Sequence, residues 1–556
     1  MTKVTRREVL ALGAAAIAGA LVGGCAKLTN RKKDGDGFQI LEAQWHYKTL
    51  NGLKTRLRSY NGQVPGPPIV ARPGEAVRIR IKNSLTPYDS TGWTGDHNIP
   101  HDLNTTNLHV HGLDVAPHLF YPLGANDPKA PMIHIMPGES FDYVFELPGN
   151  HPPGLYWYHP HNHGSTAVQA VSGMAGLIIV KGDIDEVPEI KAARDITLAI
   201  QDIGLFPSET EADVWTYEPK QNAIWQTNTG EVTIYDPEKK ANVVQPNLKG
   251  GFSTGDYAER FYLLNGEPFF QETHTNSAPT NPTPAQLAVQ QFKMAPGEVV
   301  RFRVLNGCSD NLMPIIVEDH EMHLIALDGV NFPALRTIPI YLETTGNGQV
   351  LLAPANRAEF LVQAGKPGRY AIRELEQDQQ FLSSSAKTLA EIVVEGTEKR
   401  MMLPKTLPTP KRYYPLIDKV SRQRTLEFEG MFPAKQNPYI GLDFMINGML
   451  YKEDTVQQEV TVGDEEEWIL KVSDMDHGGT EGHPFHIHVN HFEVISVAGV
   501  KQPPGTIQDT IWIPKKSEIV IRMRFNDFKG KSVYHCHILP HEDTGMMQNF
   551  LIRGST

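Results

Sequence analysis

His535-Cys536-His537, His541 and Met546 fall close together near the end of the chain. A cysteine, two histidines and a weak axial methionine form the ligand set of a blue-copper electron-transfer site. Cys536, His541 and Met546 supply three of these ligands, and a second histidine can come from upstream. His535 and His537 are then surplus to that site. Side chains alternate along a β-strand, so His535 and His537 point to one face and Cys536 to the other. One tripeptide can therefore touch two metal environments and join them covalently. The competing reading is a buried cysteine between two unrelated histidines.

Three more segments share the pattern: Asn107-Leu108-His109-Val110-His111-Gly112, Tyr158-His159-Pro160-His161 and His483-Pro484-Phe485-His486-Ile487-His488. On an extended strand, the residues of a His-X-His pair share one face at roughly 6.5–7 Å between Cα atoms. That spacing suits two ligands reaching neighbouring metals. A lone His-X-His is commonly surface histidine. Four clusters, one holding a cysteine and followed by His and Met, act as a set.

The four motifs resemble the copper signatures of the multicopper oxidases, the family of laccases, bilirubin oxidases, ferroxidases and cuprous oxidases. The likeness runs from about Tyr60 to Met547. It is similar to bacterial three-domain members in Asn61-Gly62-Gln63-Val64-Pro65-Gly66-Pro67, Tyr156-Trp157-Tyr158-His159-Pro160-His161 and His541-Glu542-Asp543-Thr544-Gly545-Met546-Met547. The resemblance implies four copper ions. The type 1 copper takes His483, Cys536 and His541 with Met546 axial, and the type 2 copper takes His109 and His486. The type 3 pair takes His111, His159, His161, His488, His535 and His537. These roles use ten of the 22 histidines. The others, including His163, His320, His323 and His491, are expected to cap, pack or face solvent.

By the same resemblance, O2 is the acceptor and is reduced to water. Electrons enter singly past His483 or His541 and pass through Cys536 to His535 and His537. Glu542 matches an acidic position associated with proton delivery in bacterial relatives. A second acid is expected after the first His-X-His-Gly, with Asp127 as the candidate and Asp114 behind it. The reducing substrate is not written in these motifs. Cuprous oxidases carry a Met-rich insert and an acidic, Met-containing stretch before His-Pro-Phe-His. Here that stretch is His477-Gly478-Gly479-Thr480-Glu481-Gly482, and the 16 methionines are scattered. The expectation is a laccase-like oxidase of phenols or aromatic amines. Oxidation of Cu(I), Fe(II) or Mn(II) is the alternative, as is copper resistance by sequestration. The polar, irregular segments 376–390 and 418–440 are candidates to line the substrate site.

The chain's 556 residues suffice for two to four domains. Its 40% apolar and 21% charged residues suit an ordinary globular protein. A net charge of −12 argues against nucleic-acid binding, and a monomer is expected. Residues 1–25 read as an address. Thr5-Arg6-Arg7-Glu8-Val9-Leu10 is a twin-arginine start, and the apolar run 11–23 is short for a membrane span. Leu21-Val22-Gly23-Gly24-Cys25 resembles a lipoprotein box. The expectation is export to the periplasm or cell envelope, with membrane contact only through a lipid on Cys25; cleavage without a lipid is the alternative. Residues 26–37 read as a tether. Of the three cysteines, Cys308 is left alone, so no disulfide is expected and a small buried role is.

A repeat organises the remainder. Segment 72–83 (RPGEAVRIRIKN) aligns with 295–306 (APGEVVRFRVLN), and a weaker copy begins at Val462-Gly463-Asp464. Asn61-Gly62, Asn265-Gly266 and Asn447-Gly448 precede them, so each copy reads as a turn into a half-buried strand. Segments 137–147, 354–362 and 514–525 alternate as strands and lead into 155–159, 369–373 and 532–535. The fold expected is all-β, with three β-sandwich domains in tandem at 38–185, 186–398 and 399–556. The family resemblance makes them cupredoxin-like Greek keys. The second copy carries Arg373 and Glu374 where the others carry histidines, so it reads as a spacer. A trinuclear cluster must then form where the first and third domains meet.

Overall fold

The computed structural model describes residues 34–88, 95–208, 210–217, 232–236, 241–245, 257–275, 278–377, 384–431, 436, 443–472 and 482–554. The address at 1–25 and most of the tether lie outside these residues, as do 473–481 and parts of both candidate substrate segments.

Each repeat is set by the same turn. Asn61-Gly62, Asn265-Gly266 and Asn447-Gly448 all have positive φ at both positions, the geometry of the two-residue hairpin turn in which Asn-Gly is favoured. The asparagine side chains then bind a neighbouring strand. Asn61 accepts Glu42 N and donates to Ile40 O at 2.8 and 3.0 Å. Asn265 accepts Ala199 N and donates to Thr197 O at 2.9 and 2.8 Å. Asn447 accepts Glu427 N at 2.8 Å.

The expected strands follow these turns. Ala76–Asn83 pairs antiparallel with Ser140–Glu146, Val299–Asn306 with Arg357–Gln363, and Glu465–Val472 with Glu518–Arg524. Each pair belongs to one sheet, and a second sheet closes the sandwich over an apolar core. In the first sandwich that second sheet runs Gly66–Ala71, Gly176–Val180, Gly154–His159, His109–His111. In the third it runs Val456–Thr461, Met547–Arg553, Gly530–Cys536, His483–Ile487, Thr510–Ile513. The protein is all-β with cupredoxin-like domains.

Two features depart from the sequence reading. The short strand Trp215–Thr216 pairs with both Leu53–Tyr60 and Arg194–Pro207, so the first two sandwiches share one continuous 13-stranded sheet. Val299–Asn306 alternates in sequence, yet every residue of it is buried. Its polar face lies under the junction of these sandwiches, where Arg301 and Arg303 pair with Glu359 and Asp185. Buried charges of this kind persist only when paired.

Because Asn265 holds a positive φ and two strand contacts, Asn265→Ala should cost about 1–2 kcal/mol and lower the thermal midpoint. An unchanged midpoint would show that the turn does not anchor the second repeat.

Candidate metal centres

Two adjacent strands divide the ligands between two sites. His483–Ile487 pairs with Gly530–Cys536, setting Phe485 opposite Cys536 and His486 opposite His535. Phe485, Ile487, Tyr534 and Cys536 belong to the third sandwich's core, and His483 shares their parity. His486 and His535 leave the other face, joined by His488 and His537 just past the strand ends.

On the inner face, Cys536 Sγ lies 3.5 Å from His483 Nδ1 and 3.8 Å from His541 Nδ1. His541 arrives on the short helix Leu539–Asp543, and its ring stacks on Phe444 at 3.8 Å. Cys536 N donates to Met546 O at 3.0 Å, and Met546 N donates to His541 O at 2.9 Å. These bonds fold the loop back around the thiol, with Met546 fully buried in the same core.

On the outer face, the first sandwich meets the third. His109–His111 pairs with Gly154–His159, with His109 opposite His159. His109 stacks on His488 and His111 on His486, both at 3.8 Å between centroids. His161 Nε2 and His488 Nε2 approach His535 Nε2 at 3.1 and 3.2 Å. The rings within the four His-X-His pairs sit 5.0–6.0 Å apart, on a shared face as expected. All eight imidazoles are buried.

This donor set fits a metal. His159 Nδ1 donates to Pro160 O and His486 Nδ1 to Asp509 O, each at 2.8 Å. Their Nε2 atoms, and that of His109, are buried with no protein partner. A buried unsatisfied polar atom costs about 1–3 kcal/mol, which a bound cation would relieve. Burial also keeps the rings neutral, as ligation requires. It pushes His159 and His483 down to about 3 and His535 down to about 4.

Two acids flank the cluster. Glu542 is fully buried, with its oxygens 3.3 Å from His161 Nδ1 and from His535 Nδ1. These contacts lack hydrogen-bond alignment. Burial, then the neighbouring Asp543, raise Glu542 well above the usual carboxylate range. Asp543 accepts Gly164 N and Ala167 N at 2.7 and 2.8 Å, yet burial lifts it to about 7. Asp509 is the opposite case. Burial works to raise it, but the Arg357 guanidinium, with smaller help from His491 and His486, holds it at about 2. Its Oδ1 lies 3.1 Å from His111 Nε2 and accepts Thr510 Oγ1 at 2.8 Å. Gly112 makes room for this pair, since a Cβ there would strike both Arg357 and Asp509.

Asp127 is not at this site. It is exposed, and its carboxylate accepts Lys129 N at 2.9 Å; the long loop after Gly112 carries it to the surface. Asp114 is buried but paired with Arg412. The second sandwich is more than a spacer: it supplies no histidine, but its Arg357 and Asp328 hold Asp509 and the backbone of Asp509 and Thr510. Cys308 is buried and in no disulfide, and burial pushes its thiol up.

Three family models described as multicopper oxidase match residues 42–103 with 97–184, 234–392 and 420–555. The chain belongs to the multicopper oxidase family. Its centres are therefore copper centres, and O2 and a reducing substrate are its reactants. A multicopper oxidase of Staphylococcus aureus is 24% identical, over 94% of this chain and 90% of its own. A laccase of Haloferax volcanii is 24% identical, over 94% and 82%. The solved multicopper oxidase of Campylobacter jejuni, described as a metallo-oxidase, superposes with a TM-score of 0.66 at 24% identity, covering 94% of this chain and 93% of that one. A laccase-like multicopper oxidase of Ochrobactrum sp. gives 0.64 at 22% identity, covering 93% and 98%.

Sequence reasoning for this multicopper oxidase missed Asp509, Thr510, Arg357 and His118, whose Nε2 lies 3.1 Å from His109 Nδ1. The polar pair Asp509-Thr510 just before the apolar Ile511-Trp512-Ile513 was a usable signal for a strand end beside a site.

The buried histidines make the copper-free protein sensitive to acid. Their pKa values lie below the unfolded value of about 6.5, so the unfolded chain binds more protons as pH falls. The stability they contribute is present above about pH 6.5 and is lost as pH falls toward 4. Glu542 and Asp543 act in the opposite sense but are outnumbered. The thermal midpoint of copper-free protein should therefore fall steadily across this range; a flat profile would contradict neutral burial.

Proposed function

We propose that this multicopper oxidase oxidises a phenol or aromatic amine one electron at a time and passes four electrons to O2, forming water. The observation that carries this reading is the thiol group of ligands on one face of Gly530–Cys536 and the eight-histidine cluster on the other. In this reading four copper ions bind. His483, Cys536 and His541 would hold the type 1 ion with Met546 as a further weak ligand, and His109 with His486 would hold the type 2 ion. His161, His488 and His535 form one type 3 group, and their nitrogens converge within 4.8 Å. His111, His159 and His537 form the other, with ring centroids 5.1–5.8 Å apart.

Copper supplies the one-electron redox chemistry when bound. The chain supplies position, exclusion of water and protons. Cys536 is bonded through the backbone to His535 and His537, so the two centres share one covalent path. Glu542, whose carboxyl is pushed well above the usual carboxylate range by burial and then by Asp543, and which lies against two cluster histidines, is suited to hand a proton inward. Asp509, held ionised, fixes His111 and His486.

The laccase relatives support the phenolic reading, as do the scattered methionines. The metallo-oxidase description of the Campylobacter protein supports the alternative of Cu(I), Fe(II) or Mn(II) oxidation. Domain limits at 38–185, 186–398 and 399–556, twin-arginine export, an envelope location with a lipid on Cys25, and a monomeric state complete the proposal. Segments 376–390 and 418–440 are proposed to border the reducing substrate.

Oxygen uptake by copper-loaded protein should be faster with a phenolic donor than with Cu(I), after correction for autoxidation. Faster uptake with Cu(I) would favour the metal-ion reading, and none with either would favour sequestration. Met546→Leu should raise the type 1 potential while full copper content is kept; a lower or unchanged potential would reject Met546 as axial ligand. Glu542→Gln should lower turnover by about 10²-fold or more, as for loss of a proton donor, and alter its pH profile. Unchanged turnover across pH would remove Glu542 from proton delivery.

A further inference from the structure

The segment joining the second and third sandwiches crosses the seam between the first and third. At its 3-10 turn Lys411–Tyr413, Arg412 is buried between Asp114 of the first sandwich and Asp527 of the third. Arg412 Nη2 donates to Asp114 Oδ1 and to Asp527 Oδ1, both at 2.8 Å. Its Nη1 reaches Asn150 Oδ1 at 3.3 Å. Asp114 stands three residues beyond His111 in sequence, so this ion pair anchors the loop leaving the first His-X-His.

The next residue reaches the cluster through two intermediaries. Tyr413 Oη lies 3.3 Å from Asp114 Oδ2 and 2.8 Å from His491 Nδ1. His491 Nε2 lies 3.1 Å from Asp328 O and 3.4 Å from Asp509 Oδ2. Asp509 in turn contacts His111 by its carboxylate and His486 by its carbonyl. This chain links one histidine from each side of the seam.

We propose that residues 410–414 form a strap that holds together the side of the copper cluster where His111, a type 3 ligand, meets His486, a type 2 ligand, with Tyr413 and His491 as positioning residues for Asp509. The inference rests on the copper assignment proposed above. The key is the His491 tautomer. Asp328 O can only accept, so His491 must carry its proton on Nε2 and accept on Nδ1. The one proton of the Tyr413 hydroxyl faces two acceptors, and the shorter contact, 2.8 Å to Nδ1 against 3.3 Å to Asp114 Oδ2, makes it the donor that fixes this choice. Without it the ring can turn a lone pair toward Asp328 O and the Asp509 carboxylate, and the carboxylate loses a donor on the side away from Arg357. Groups of this kind orient ligands, and their loss typically costs 10–100-fold in metal affinity. The type 1 group lies inside the third sandwich, on the far face of the strand, apart from this chain of contacts.

The test uses the full copper-loaded chain with Tyr413→Phe, which removes one hydroxyl, and His491→Leu. The readouts are the EPR signal of non-blue copper, the chelator concentration that removes it, the blue absorption of the type 1 centre and the thermal midpoint. Both variants should release type 2 copper at about tenfold lower chelator concentration, with blue absorption intact. His491→Gln, which keeps an amide N–H, should fall between His491→Leu and the unaltered protein. Type 2 copper held as tightly in both variants as in the unaltered protein would overturn the proposal. So would parallel loss of both signals with a fall in midpoint, which would make the strap a general clamp on the fold. Absence of blue copper from the unaltered protein would instead overturn the copper assignment itself.

Discussion

The alternation of side chains along Gly530–Cys536 is the constraint on which the rest of the structure depends. Consecutive strand residues face opposite ways, so a strand with Cys536 in the core must present His535 on its outside. The inner face then needs a closed sandwich that can enclose a thiol between His483 and His541, and the paired sheets of the third sandwich provide it. The outer face needs a second surface bearing histidines, because four imidazoles left toward water would be ordinary surface groups. The first sandwich provides that surface through His109, His111, His159 and His161. A single domain could meet the first demand but not the second, so the site requires repetition of the domain.

Burying so many imidazoles constrains the charge around them. The two acids at the cluster are given opposite environments. Asp509 is gripped by the buried Arg357 and stays ionised, while Glu542 has no cation beside it among the described residues and shares its site with Asp543. Environments that push two carboxyl groups apart in pKa commonly separate a fixed charge from a proton donor. The same division appears in structure. Asp509 is tied to the second sandwich and to the strap at 410–414, while Glu542 sits on the short helix that also carries His541. The residues proposed for proton handling and electron entry thus share one loop, and those proposed to position ligands lie at the seam between domains.

The ligands were legible because they obey local rules. His-X-His spacing and strand alternation place side chains without knowledge of the partners, and Asn-Gly turns marked each repeat. What was not legible depends on long-range pairing. Asp509 reaches the cluster because Thr510–Ile513 lies beside His483–Ile487 with His486 opposite Thr510, and neither segment announces the other. Sequence proximity to the first His-X-His-Gly suggested Asp127 instead, but the loop bulges outward before reaching it. Arg412 and Tyr413 carry no local signal because their partners lie about 80 to 300 positions away. Val299–Asn306 read as half-buried because the charges paired with Arg301 and Arg303, Glu359 and Asp185, lie more than fifty positions away in sequence.

The central claim is that one strand joins two copper centres that are otherwise separate. Replacing Cys536 with serine and counting copper by elemental analysis alongside EPR tests it most directly. The account predicts loss of blue absorption and of turnover, with about three coppers per chain kept and the non-blue EPR signal intact. Loss of all copper, or a blue band that survives without the thiol, would contradict it.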